Sequence, residues 1–93
     1  MPKEPFPYQP GAILHSAIIG AFRATGGSFE GWCRDNEVEP SNARNATYGV
    51  MKGPRGQEIL AQLIEAAGSD VVRAGYLTRF NRYVDMLKER GIA

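Results

Sequence analysis

Cysteine is almost missing from this chain: Cys33 stands alone among 93 residues. One thiol excludes an intrachain disulfide and any multi-cysteine metal cluster, and a reducing cytoplasm is the simplest compartment for it. Histidine is equally scarce. His15 is the only one, and it lies within an amphipathic stretch, where an imidazole is more often a partly buried or surface group than a catalytic base. Cys33 reads as a small apolar filler rather than a nucleophile. No second histidine or cysteine supports a metal site, and no pair of carboxylates has suggestive spacing. Neither Gly26-Gly27 nor the stretch from Gly53 to Gly56 has the pattern of a phosphate-binding loop. We expect no catalysis, no metal and no cofactor. Long apolar runs are missing too, since none approaches the roughly 18 residues needed to span a bilayer. The opening MPKEPFPYQP has no apolar stretch behind its lysine and does not read as a secretory signal.

Proline is concentrated where it does least harm. Four of the six prolines fall in the first ten residues, which can form neither a helix nor a central strand, so residues 1–11 read as an arm. Ninety-three residues suffice for one small domain with a single modest core. Ile13, Leu14, Ala17, Ile18, Ala21 and Phe22 recur at helical spacing from Ala12 to about Ala24, and Thr25-Gly26-Gly27 stops that helix. Ser28 is a cap for a second helix from Phe29, with Phe29, Trp32 and Cys33 on one face. Pro40 suits the first turn of a third helix, which Gly49 ends. GPRG, from Gly53 to Gly56, reads as a loop before a fourth helix from Gln57 to Ala67, with Ile59, Leu60, Leu63 and Ile64 inward. A last helix runs from about Asp70 to Arg90. No repeat, low-complexity tract or convincing strand is present. The chain is expected to be all-α.

The net charge of +1 says little, but its distribution says more. From Glu30 to Glu39, four acids (Glu30, Asp35, Glu37, Glu39) face the single base Arg34. From Ser41 to Gln57 there is no acid at all, while Arg44, Lys52 and Arg55 all fall there. The segment from Arg73 to Arg90 is basic again. A near-neutral protein can carry one positive face, and phosphate contacts need only that face; ordinary solvated charge is the alternative, with more weight for the C-terminal group than for the central one.

The stretch FEGWCRDNEVEPSNARNATY, from Phe29 to Tyr48, is the most informative. It reads as two short helices joined by a tight turn, the layout of a helix-turn-helix, whose second helix enters the major groove of DNA. Cys33 is the small residue where the helices cross, Val38 plugs the core after the turn, and Ala43 and Ala46 line the inner side of the second helix. Ser41, Asn42, Arg44 and Asn45 are left exposed. Asparagine pairs bidentately with adenine and arginine with guanine.

PSNARNA followed by GPRGQEILAQL resembles the phage Ner-like branch of the lambda-repressor-like DNA-binding domains, through the proline-led helix and the Pro54-Arg55-Gly56 and Ile59-Leu60-Ala61 runs. The resemblance covers residues 13–67. It implies a compact all-α helix-turn-helix domain of about five helices that binds operator DNA. It makes Ser41, Asn42, Arg44 and Asn45 the groove-reading set and brings Lys52 and Arg55 to the backbone. In that family the turn often carries glycine where this chain has Glu37. Asn36 tolerates the left-handed conformation better than most residues, which would place the turn one residue earlier.

The expected organisation is an arm over residues 1–11, a DNA-binding domain over 12–68 and a long amphipathic helix over 69–93. On that last helix, Val72, Tyr76, Phe80, Tyr83 and Leu87 form a wide apolar stripe with Leu77 and Val84 at its flanks. The stripe either docks on the monomer's own core or forms a dimer seam through Tyr76, Phe80, Tyr83 and Leu87. A homodimer is favoured, because two recognition helices multiply the specificity of one. The expected role is a DNA-binding transcriptional regulator of phage or prophage type. A protein-interaction module that grips the transcription machinery through the aromatic helix is the alternative.

Overall fold

In the computed structural model, which describes residues 8–91, the chain is all-helical, and no strand occurs among the described residues. The first seven residues of the expected arm lie outside that range. Five helices follow in order: α1 (Ala12–Ala24), α2 (Phe29–Asp35), α3 (Pro40–Thr47), α4 (Pro54–Ala67) and α5 (Ser69–Glu89). None of these helices is long and apolar enough to cross a membrane.

Each helix buries the face its periodicity marks. Leu14, Ala17, Ile18, Ala21 and Phe22 of α1 meet Phe29 and Cys33 of α2, Ala43 and Ala46 of α3, Ile59 and Leu63 of α4, and Val72 and Tyr76 of α5 in one core. Trp32, Leu60 and Ile64 pack against it half-buried. Burying a large aliphatic side chain contributes about 1.5–3 kcal/mol, so this single cluster is the main source of stability.

The fourth helix starts earlier than the sequence suggests. Pro54, Arg55 and Gly56 form its first turn rather than a loop, because proline at the first helical position has φ preset and no N–H to leave unpaired. Gly56 is there for space: a Cβ on it would run into the Met51 carbonyl oxygen.

Three helices end in the same way. The backbone N–H of Gly27 bonds to Phe22 O at 2.8 Å, that of Val38 to Cys33 O at 2.9 Å and that of Val50 to Asn45 O at 2.9 Å. In each case the preceding residue (Gly26 at φ 86°, Glu37 at 56°, Gly49 at 80°) is left-handed and bonds back one residue later along the helix. This is the Schellman cap, which satisfies the last carbonyls of a helix. Glu37 is the only non-glycine residue with positive φ among those described. Asn36, at φ −109°, is not left-handed. The turn therefore sits at Glu37, and the placement one residue earlier is overturned. Asn36 instead donates its side-chain Nδ2–H to Trp32 O at 2.9 Å.

Helix α5 lies along α1 in antiparallel sense. A Cβ built on Gly75 would lie 3.8 Å from Ala17 Cβ, and one on Gly68 3.8 Å from Thr25 Cγ2. That register sets the start of α1 opposite Phe80, and the remainder of α5 continues past it. Val72 and Tyr76 are consequently buried, whereas Phe80 and Tyr83 are 37% and 45% exposed.

Candidate nucleic-acid interface

Helices α2 and α3 are held as a hairpin by what lies between them. Ser28 caps α2, its Oγ accepting from the Gly31 N–H at 2.9 Å, and Val38 enters the core directly after the left-handed Glu37. Cys33 is fully buried at the crossing, where burial first and the nearby Glu30 carboxylate second push its thiol above the usual range. The thiol stays protonated and acts as a filler. Ala43 and Ala46 turn inward and let α3 approach closely.

Ser41, Asn42, Arg44 and Asn45 are all exposed. Among the described residues, the side chains of Ser41, Asn42 and Asn45 make no hydrogen bond and Arg44 forms no ion pair, so their donors and acceptors face solvent. They do not share one face equally. At roughly 100° per residue, Ser41, Arg44, Asn45 and Tyr48 fall within an arc of about 100°, and Asn42 lies about 60° beyond it. Tyr48, which the sequence reading passed over, therefore belongs to the outward ridge. Its spacing of seven residues from Ser41 was the available signal.

A cluster behind α3 fixes that ridge. The Thr47 hydroxyl, fully buried, donates to Arg44 O at 2.8 Å. His15 Nδ1 lies 2.8 Å from Thr47 Oγ1, whose one proton is committed to Arg44 O, so the imidazole donates to the hydroxyl and carries its proton on Nδ1. The His15 ring stacks on Tyr48 with centroids 4.7 Å apart and meets Phe29 edge-on at 5.5 Å. One imidazole thus touches both helices of the hairpin. Burial, and then the Arg44 charge, hold its pKa below the usual imidazole value. The end of the arm closes the cluster from another side, through the Gly11 N–H to Thr47 O at 3.0 Å.

Lys52 and Arg55 are exposed just beyond α3. Lys52 has no ion-pair partner among the described residues, and its carbonyl accepts from Gln57 Nε2 at 3.2 Å. Arg55 is tied to Glu58, Nη1 to Oε1 at 3.3 Å, in a pair more than half exposed on both sides. Such a pair is worth well under about 1 kcal/mol and can be exchanged for a phosphate. Glu30, Glu37 and Glu39, with Arg34 among them, border an open depression between α2 and the start of α3. Next to α3, the exposed cations Arg44, Lys52 and Arg55 therefore lie toward its C-terminal half and the start of α4.

The apolar stripe of α5 is divided. Tyr76 belongs to the monomer's core, its ring edge-on to Tyr8 at 4.9 Å and its hydroxyl accepting from the Gln9 N–H at 3.2 Å. At this position the stripe docks on the monomer's own core. Phe80, stacked on Tyr76 at 5.9 Å, begins the exposed part, which continues through Tyr83 and Met86, with Leu87 half-buried.

Comparison of this chain with protein-family models, with curated proteins and with solved structures gave no match, so its functional reading stands on the residues described above.

Proposed function

We propose that this chain is a sequence-specific DNA-binding transcriptional regulator of the phage or prophage type that its resemblance to Ner-like domains implies, reading the major groove with α3. The observation that carries the reading is the outward arc of Ser41, Arg44, Asn45 and Tyr48, set on a hairpin whose inner side is apolar except for the hydrogen-bonded Thr47. It continues into an acid-free run that ends with Lys52 and Arg55. Unpaired amide and guanidinium groups on a rigid helix are the chemistry of direct base readout, and the adjoining cations suit phosphates. On this reading the chain works in the cytoplasm on the nucleoid and carries out no chemistry of its own.

A helix of two turns reads only a few base pairs, and a second copy supplies the other half-site. Phe80, Tyr83 and Leu87 are the seam residues that remain for a homodimer once Tyr76 is withdrawn into the core. The same exposed aromatics favour the alternative, a module that grips a protein of the transcription machinery. Selection of bound sequences from a random duplex pool tests the first reading. The wild type is expected to enrich a motif, preferably palindromic, and Arg44→Ala to lose roughly 1–3 kcal/mol of discrimination at one position. If nothing is enriched, the specific regulator is excluded. An activity indifferent to Arg44→Ala but abolished by Phe80→Ala would establish the interaction module.

A further inference from the structure

We infer that Val50 is a base-reading residue of this interface and takes the C5-methyl group of a thymine in the major groove. The inference rests on the DNA-binding reading above and adds to it a contact that the polar residues of α3 do not supply.

Its starting point is the shared helix cap. In a Schellman cap the residue whose N–H closes the longer bond commonly packs an apolar side chain back on the residue that accepts it. Helix α2 follows the rule, with Val38 and its acceptor Cys33 both in the core. Helix α3 breaks it. Val50 bonds to Asn45, which is polar and exposed, and the valine is left 71% exposed, more than any other large hydrophobic residue described. Yet it is not loose. The Val50 and Met51 N–H groups both bond to Asn45 O, at 2.9 and 3.2 Å, and Gly49 is committed to the left-handed conformation. A β-branched side chain on a fixed Cα has few rotamers to lose.

Position and charge name the occupant. Val50 is bonded through its backbone to Asn45 of the outward arc and follows Tyr48, whose ring is held by His15. It lies between Arg44 and Lys52 in the stretch from Ser41 to Gln57 that contains no acid. The exposed Arg44, Lys52 and Arg55 of that stretch, of which only Arg55 has an acidic partner among the described residues, suit a polyanion rather than an apolar protein partner. The thymine methyl is the apolar group that a base pair presents in the major groove, and it suits a single exposed valine.

Uracil provides the test, because it differs from thymine by that methyl alone. On a duplex selected by the wild type, uracil is placed at each thymine in turn and binding is measured at fixed salt. One position should weaken wild-type binding roughly fourfold, the effect of one buried methyl-sized group. Val50→Ser should bind the thymine and uracil duplexes equally while keeping the wild-type melting temperature. The inference is overturned if the wild type tolerates uracil at every position, or if Val50→Ser keeps the same preference for thymine. A wild type that selects no sequence refutes the DNA-binding reading and this contact with it. A selected sequence without thymine preference refutes the contact alone.

Discussion

Replacing Glu37 by glycine should stabilise this protein. Of the left-handed residues that close helices α1, α2, α3 and α5, three are glycines (Gly26, Gly49, Gly91) and one is Glu37, at φ 56°. A side chain with a Cβ costs about 1–2 kcal/mol in that conformation. Glycine removes the cost but gives the unfolded chain more freedom, which takes back about 0.4–1 kcal/mol. The balance is a gain of about 0.5–1 kcal/mol, or roughly 2–8 °C in melting temperature for a domain of this size. Glu37 is exposed and its side chain has no hydrogen-bond or ion-pair partner among the described residues, so little is lost with it. Its carboxylate does border the depression shared with Glu30 and Glu39, and Glu37→Ala separates charge from conformation: alanine removes the carboxylate and keeps the strain, so it should stay within about 0.5 kcal/mol of wild type. Asn36→Gly is the opposite control, because Asn36 has an ordinary φ and a side-chain bond to Trp32 O. It should destabilise by about 1 kcal/mol. Urea unfolding of the three variants gives the answer. A stabilised Asn36→Gly beside a neutral or weakened Glu37→Gly would refute the placement of the turn and the cap built on it.

The remaining predictions concern His15, behind the interface, and helix α5. Because the folded His15 is held below its usual pKa, the unfolded chain takes up the proton first as the pH falls. Stability should be complete above about pH 6.5, decline as the pH drops through that value, and level off below the folded pKa. Urea unfolding of the wild type against His15→Gln isolates this term, and a difference between the two that does not change with pH would remove it. Within α5, Tyr76→Ala should destabilise the monomer by about 3–5 kcal/mol, as aromatic truncations in a core do. Phe80→Ala and Tyr83→Ala should cost little in the monomer yet shift sedimentation from dimer to monomer. Wild-type protein that sediments as a monomer at high concentration would dispose of the seam.

Much of the fold was legible because its signals are local. The first helix runs over the residues its apolar spacing marks, Ser28 caps the second as its hydroxyl allows, and Pro40 opens the third. The inward positions Cys33, Val38, Ala43 and Ala46 follow from pattern alone. The start of α4 was missed because Pro54 and Gly56 are loop residues by composition, and the reason for Gly56, the Met51 carbonyl, comes from a neighbour. The exposure of Tyr48 and Val50 was not legible for a related cause: it is set by how the end of α3 packs against the rest of the domain.

By itself, then, the sequence determined the number of helices, most of their limits, the inner face of each and the acid-free run from Ser41 to Gln57, because caps and periodicity act over a few residues. Only the tertiary structure decided which half of the α5 stripe is covered, since that depends on where α1 begins along it. It likewise brought His15, distant in sequence, to Thr47 and Tyr48. It also placed the left-handed residue at Glu37, where the need to bury Val38 after the turn outweighs the local preference of asparagine for that conformation.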